Sequence, residues 1–197
     1  MVEAFKLKED DAVRVDAKPL REATTALFVK LGVPGDDAAL AADVLVTADL
    51  RGVDSHGVSN MLKTYLDRYG DGTQNANPNW RVVKERASIA NIDGDLGLGI
   101  IVAPKAMEIA VAKARETGVG VVTVTNCGHL GMAAYHAMLA LSHDMIGVCM
   151  TAAGAQGLPT FGREPRLGTN PYAIAAPAGV EPAWVFDMAT SIVPVNK

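Results

Sequence analysis

Residues 118–135 read GVGVVTVTNCGHLGMAAY. The alternating β-branched run Val119–Val124 predicts a strand, Thr125-Asn126-Cys127-Gly128 a tight turn, and the good helix formers after His129 a helix. Backbone N–H groups at a helix start are unpaired and partly positive, which suits a phosphate, carboxylate or oxyanion. Gly128 and Gly131 would let a ligand come close to the backbone. The same residues also read as a strand-to-helix corner carrying a surface histidine. A second histidine motif upstream shifts the balance toward function.

That motif is Asp49-Leu50-Arg51-Gly52-Val53-Asp54-Ser55-His56-Gly57. Ser55 is an N-cap candidate for a helix from His56 to Tyr69, with Val58, Met61, Leu62, Tyr65 and Tyr69 as its apolar stripe. His56 would then lie in the first turn, where the helix dipole disfavours imidazolium and leaves a neutral ring able to accept or relay a proton. Alone, it reads equally as a histidine chosen for local hydrogen bonding at a cap.

Further upstream, DAVRVDA (11–17) reads as a short strand. Lys18-Pro19 opens a helix that Gly32 ends, and Gly35-Asp36-Asp37 starts another with Ala38, Ala41, Ala42, Leu45 and Val46 on one face. Between the two histidine motifs, residues 70–80 form a polar connection, and RVVKERASIANIDGD (81–95) forms two hairpin-like strands. Gly97-Leu98-Gly99 leads into a helix over Val102–Glu116, with Pro104 in its first turn and Ala103, Ala106, Met107, Ala110 and Ala114 inward. The full dinucleotide pattern is absent around this GLG, so no Rossmann domain is expected.

Downstream of the opening stretch, a helix is expected over Gly131–His143 and a buried strand over Met145–Thr151. A glycine-rich loop long enough to cover a ligand follows. Thr169-Asn170-Pro171 introduces a strand at Tyr172–Ala176, and Trp184–Met188 forms another. Asp187, at that strand's end, could accept hydrogen bonds from ribose hydroxyls or cap a following helix. Val193–Lys197 shows no closing element, which leads us to expect an incomplete chain.

Composition bounds the possibilities. With 197 residues, 49% hydrophobic and 20% charged, and a net charge of −4, the chain reads as a soluble globular protein. No apolar run reaches bilayer length, and the charged N-terminus lacks a signal-peptide core, so the cytoplasm is the default compartment. Cys127 and Cys149 are expected as buried free thiols. The acidic balance and 5% aromatic content argue against nucleic acid as a partner. His129, His136 and His143 are seven residues apart, about 10 Å along a helix, so neighbours among them could not share a metal ion. No metal site or serine-hydrolase elbow is expected. What remains is two histidines at helix starts, glycine-rich turns and an acidic strand end. Carbonyl reduction needs such parts: a proton donor, orienting polar groups and a cradle for a nicotinamide.

Four motifs in order, LRGVDSHGVSNML, NCGHLGMAAY, LGTNPYAIAAP and FDMATS, closely resemble the malate/L-lactate dehydrogenase family, which includes ureidoglycolate, sulfolactate and diketogulonate dehydrogenases. The resemblance covers residue 17 to the end. It implies a non-Rossmann α/β fold with a mixed sheet, a helical substrate-side and dimerisation portion (1–80) and an incomplete cofactor-binding sheet portion (81–197). It further implies a homodimer that interconverts 2-hydroxy and 2-oxo acids with NAD or NADP.

His129 is assigned by this resemblance as acid/base and His56 as its substrate-facing partner, although family members differ over which transfers the proton. Ser55, Asn60, Arg51 and Lys63 fall on the substrate side, and Ala153, Asn170, Asp187, Met188 and Ala189 on the cofactor side. Asn60 departs from the family: several members carry there an arginine suited to clamp a carboxylate, so Lys63, Arg51 or Arg68 would have to supply the charge. His136 replaces a common aromatic. Family members also continue well past FDMATS. The alternatives are an inactive truncated remnant of the family, or an anion-binding α/β module.

Overall fold

The computed structural model describes residues 13–191. Helix α1 spans Ala17–Lys30 and α2 spans Gly35–Leu50. The strand expected over 11–17 is not formed in its described part: residues 13–16 are irregular and Ala17 already opens α1, while 11 and 12 lie outside the described residues. In α2, Ala38, Ala41, Ala42, Leu45 and Val46 are buried as expected, because small side chains at helical spacing allow close packing.

The D-S-H-G segment departs from the expected helix start. Asp54–His56 forms a separate 3-10 turn, and α3 begins only at Val58 and runs to Gly70, with Gly57 as its N-cap. Ser55 therefore caps no helix. The Asp49 carboxylate accepts the Val58 N–H at 2.9 Å and takes over that role. Gly57 is required by this contact, since a Cβ would collide with the Asp49 carboxylate.

Strands β1 (Arg81–Glu85) and β2 (Ile89–Gly97) pair antiparallel, as the hairpin reading expected, and β2 pairs parallel with β3 (Val121–Cys127). The crossover between β2 and β3 is α4, Gly99–Thr117. It starts three residues before the expected Val102, so Pro104 lies inside the helix rather than in its first turn. Of the α4 residues expected to face inward, Ala106 is buried, whereas Ala103, Met107, Ala110 and Ala114 are half-buried along a groove.

After β3 the chain runs without regular structure from Gly128 to Met132. It then forms α5 (Ala133–Met138) and a 3-10 turn over Leu139–His143, in place of one continuous helix. Strands β4 (Gly147–Met150), β5 (Tyr172–Ala176) and β6 (Trp184–Met188) make a second, antiparallel sheet. β4 is shorter than expected and only Gly147 in it is buried. Cys127 and Cys149 are free but half-buried.

The main core joins α1, α2 and α3 to α4, α5 and β5 through Phe28, Leu45, Tyr65, Ile100, Ala137 and Ala173. A smaller core of Ile92, Val102 and Ala106 holds α4 on the first sheet. Small residues set these distances: a side chain at Gly147 would strike the Ala137 carbonyl of α5, and one at Gly120 the Ala110 carbonyl of α4. No described helix is long and apolar enough to cross a membrane.

Candidate active site

His129 lies in the extended connection after β3, not at a helix start. Its backbone is held by the Gly97-Leu98-Gly99 turn: the Gly97 carbonyl accepts the Gly128 N–H at 2.9 Å, and a Cβ on Gly99 would collide with the Gly128 and His129 carbonyl oxygens. The GLG segment therefore serves close backbone packing beneath the histidine. A Cβ on Gly128 would strike the Gln74 side chain, and Gly131, at φ 71, turns the chain back toward the ring.

The ring itself is fastened at Nδ1. The Tyr65 hydroxyl lies 2.7 Å away and the Gly131 N–H points at the same nitrogen from 3.3 Å. Because a backbone N–H can only donate, it favours a bare Nδ1 with the proton on Nε2. Burial pushes His129 down to about 4, helped by the nearby His56, Arg68 and His136. Burial likewise raises the Tyr65 phenol well above its ordinary range, so it stays protonated.

His56 reaches the same place from the 3-10 turn before α3. The two imidazoles are stacked with centroids 5.4 Å apart, and Ser55 Oγ lies 2.9 Å from His56 Nδ1. Two motifs more than 70 residues apart in sequence thus form one imidazole pair. Tyr65, one face of the expected apolar stripe, is the partner the sequence reading missed. Its signal was a tyrosine at a fully buried stripe position, where the hydroxyl must find a hydrogen bond.

The start of α5 is already occupied by an anion from the chain itself. Asp187 accepts the Ala134 N–H at 2.7 Å, so it caps α5 and not a following helix. Desolvation raises the Asp187 carboxyl, opposed first by this hydrogen bond and then by the positive fields of His56 and Arg51. Asp187 accordingly lies within electrostatic reach of both His56 and Arg51. Asn60 and Lys63 are engaged elsewhere: Asn60 donates to the Asp54 carbonyl at 2.7 Å, and Lys63 pairs with Asp67 on the exposed side of α3.

The remaining cofactor-side candidates converge on the ends of β4 and β6. The Ala153 N–H donates to Asn170 Oδ1 at 3.0 Å, and the Thr190 N–H to the Thr169 carbonyl at 2.8 Å, tying the segment after β4 to the residues before β5 and after β6. A Cβ at Gly168 would collide with the Ala153 carbonyl. Met188 is exposed, Ala189 half-buried, and the buried Ser191 Oγ two residues on has no hydrogen-bond partner among the described residues. The other two members of the seven-residue histidine series stand apart: His136 Nε2 lies 2.7 Å from the Leu130 carbonyl, and His143 Nδ1 lies 2.6 Å from an Arg115 nitrogen.

The chain and its fold have close relatives. Malate dehydrogenase of Pyrococcus horikoshii is 46% identical over 189 residues, 96% of this chain and 52% of that protein. L-sulfolactate dehydrogenase of Methanocaldococcus jannaschii is 45% identical over 168 residues, 85% of this chain and 48% of that protein. The solved structure of the Pyrococcus horikoshii enzyme matches with a TM-score of 0.92 at 44% identity, covering 100% of this chain and 56% of that one. The chain spans about half the length of the curated relatives it matches. Residues 15–197 match the family model described as malate/L-lactate dehydrogenase, and the chain belongs to that family.

Proposed function

We propose that the chain carries the proton-handling and substrate-facing part of a nicotinamide-dependent dehydrogenase that interconverts a 2-hydroxy acid and its 2-oxo acid. The observation that carries this reading is the stacked His56–His129 pair with Tyr65 fixed on His129 Nδ1. The relatives' names, malate and L-sulfolactate dehydrogenase, support the substrate class.

The residues at the ends of β4 and β6 fit the polar part of a nicotinamide nucleotide. The buried Ser191 hydroxyl lacks a partner among the described residues, and Ala153, Asn170 and Met188 are exposed, with Ala189 half-buried. NAD or NADP, when bound, supplies the hydride. Asp187 is assigned to hold the floor of this site by capping α5.

The chain's own residues then manage the proton. A tyrosine hydroxyl both donates and accepts, so Tyr65 can donate to a bare Nδ1 or accept from a protonated one. It holds His129 in either state and leaves Nε2 for the reacting oxygen. The low pKa of His129 keeps the free site neutral and ready to accept a proton in the oxidative direction. An anionic substrate beside the ring raises that pKa and favours the imidazolium that reduction requires. His56, steadied by Ser55, faces the substrate, and Arg51 and Arg68 supply the positive field for its carboxylate in place of an arginine at Asn60.

The division into a helical portion (1–80) and a sheet portion (81–197) is part of this reading. So are a homodimer, supported by the exposed Leu27 and Val29 on α1, and a reducing, cytoplasmic setting, supported by two free thiols. The test is oxidation of NADH and NADPH by the chain with pyruvate, oxaloacetate and 2-oxoglutarate, against His129→Ala and His56→Ala. Turnover abolished in at least one variant is the expected result. Turnover equal to wild type in both variants would overturn the reading.

A further inference from the structure

Among the described residues, six other than glycine have a left-handed backbone, and three of these lie in the two turns that carry His129. Asp95 (φ 51) and Leu96 (φ 57) are consecutive, in the register shift of β2 between Asp93 and Gly97. Asn126 (φ 50) stands three residues before His129. Aspartate and asparagine tolerate this conformation, whereas a leucine adopts it only where its surroundings enforce it. Leu96 is 52% exposed, so core packing of its side chain does not account for the conformation.

What holds the turn is a clasp of hydrogen bonds from the loop after α3. Asp95 Oδ2 accepts from Asn75 Nδ2 at 3.0 Å and from the Asn79 N–H at 2.8 Å, and the Leu96 carbonyl accepts the Asn75 N–H at 3.0 Å. On the other flank, Asp93 Oδ1 accepts from the Asp95 N–H at 3.2 Å and from Asn126 Nδ2 at 3.1 Å. The two turns are thus tied to each other and to the loop. The clasp also keeps Gln74 against Gly128, where its Oε1 is buried without a hydrogen-bond partner among the described residues. A left-handed leucine and an unpaired buried carbonyl, both unfavourable, converge on the backbone that carries one histidine. Such strain persists only where surrounding contacts over-determine it, and it collects at functional sites.

We propose that Asp95 is a positioning residue for His129: its carboxylate closes the loop after α3 over the Gly97–Gly99 turn, and that turn sets the place of the ring against Tyr65 and His56. Leu98 and Ile100, both fully buried, anchor the turn from the core side. The Asp95 clasp anchors it from the solvent side, and the Gly128 N–H on the Gly97 carbonyl passes the position on to His129. With the clasp open, Gln74 leaves Gly128, water reaches the ring from behind, and the Tyr65 contact with Nδ1 loosens. The proposal rests on the reading of His129 as the group that transfers the proton.

The test reads the histidine rings of the full chain by NMR at pH 6, where an ordinary imidazole is about three-quarters charged. Wild-type His129, pushed down to about 4 chiefly by burial, stays neutral there. In Asp95→Ala, folded by circular dichroism, the His129 ring should be mostly charged at pH 6. Its kcat for 2-oxo acid reduction should fall at least about tenfold, with KM changed less than about twofold. Asp95→Asn keeps an oxygen for both bonds and a residue suited to the left-handed backbone, and should restore both readouts. Asn75→Ala removes one donor and leaves the strained residues in place; it should move the His129 titration in the same direction, and it serves as the milder opening if Asp95→Ala does not fold. Thr123→Val, which removes the Asn91 contact on the same sheet, should leave His129 unmoved. A ring that stays neutral in the folded clasp variants, an equal shift in Thr123→Val, or no restoration by Asp95→Asn would each overturn the proposal. Wild-type turnover that survives His129→Ala and His56→Ala would instead overturn the dehydrogenase reading, and the ring titration would still decide whether Asp95 places His129.

Discussion

Acid should unfold this chain through two buried histidines, and the size of the effect follows from their surroundings. His129 and His136 are both pushed down to about 4, in each case chiefly by burial; His56 and Arg68 add to the effect on His129, and the Leu130 carbonyl opposes it on His136. In an unfolded chain an imidazole titrates near about 6.5. Between these values the unfolded state binds more protons than the folded state, so the stability is fully present above the upper value and is lost as pH falls toward the lower one. Integrated from pH 7 to pH 5, the loss is about 2 kcal/mol per histidine and about 4 kcal/mol for the pair. Asp49 and Asp187, whose carboxyls are raised by desolvation, act in the opposite sense at the acid end. They contribute equally to a comparison between wild type and a histidine variant. The variant is the double substitution His129→Asn with His136→Gln, which keeps an acceptor for Tyr65 and a donor for Leu130 but cannot titrate. Urea unfolding at both pH values, followed by the fluorescence of Trp80 and Trp184, gives the two stabilities by linear extrapolation. The pH-dependent loss should shrink by about 4 kcal/mol in the double variant. A loss unchanged from wild type would refute the argument that these rings are held neutral by burial.

Three further outcomes are expected. Tyr65→Phe removes the hydroxyl at His129 Nδ1; stability should fall by about 1 kcal/mol, and kcat for 2-oxo acid reduction by about tenfold, with KM for the nicotinamide nucleotide changed less than about twofold. Asp187→Ala uncaps α5 at Ala134 and should cost about 1–2 kcal/mol in denaturant titration, whereas Asp187→Asn, which keeps an acceptor, should cost less than half of that. Gly120→Ala drives a methyl into the Ala110 carbonyl and should destabilise by about 3 kcal/mol or prevent soluble expression, while Gly35→Ala, facing open space, should change the midpoint by less than about 1 kcal/mol.

Much of the architecture was legible in local pattern. The alanine face of α2, the β1–β2 hairpin and the strands Tyr172–Ala176 and Trp184–Met188 follow from helical spacing, alternation and turn residues that act over a few positions. Both histidine motifs were visible for the same reason, as unusual polar residues between glycines. Local pattern failed where a distant group took over a terminus. Ser55 carries the residue type of an N-cap, but the Asp49 carboxylate, from the preceding helix, accepts the Val58 N–H and moves the start of α3 past His56. Asp187 reads as a ribose partner or as the cap of a following helix; the helix its carboxylate closes is α5, 53 residues earlier in the chain. Spacing alone cannot reveal either substitution, because the hydrogen-bond donor and acceptor meet only when helix and sheet pack. The sequence by itself determined the family of parts: an α/β chain with two glycine-flanked histidines. Tertiary structure alone decided that the two rings stack, that Tyr65 grips one of them, and that burial holds His129 neutral. Desolvation and side-chain pairing are properties of the space between elements, and that space exists only after they have packed.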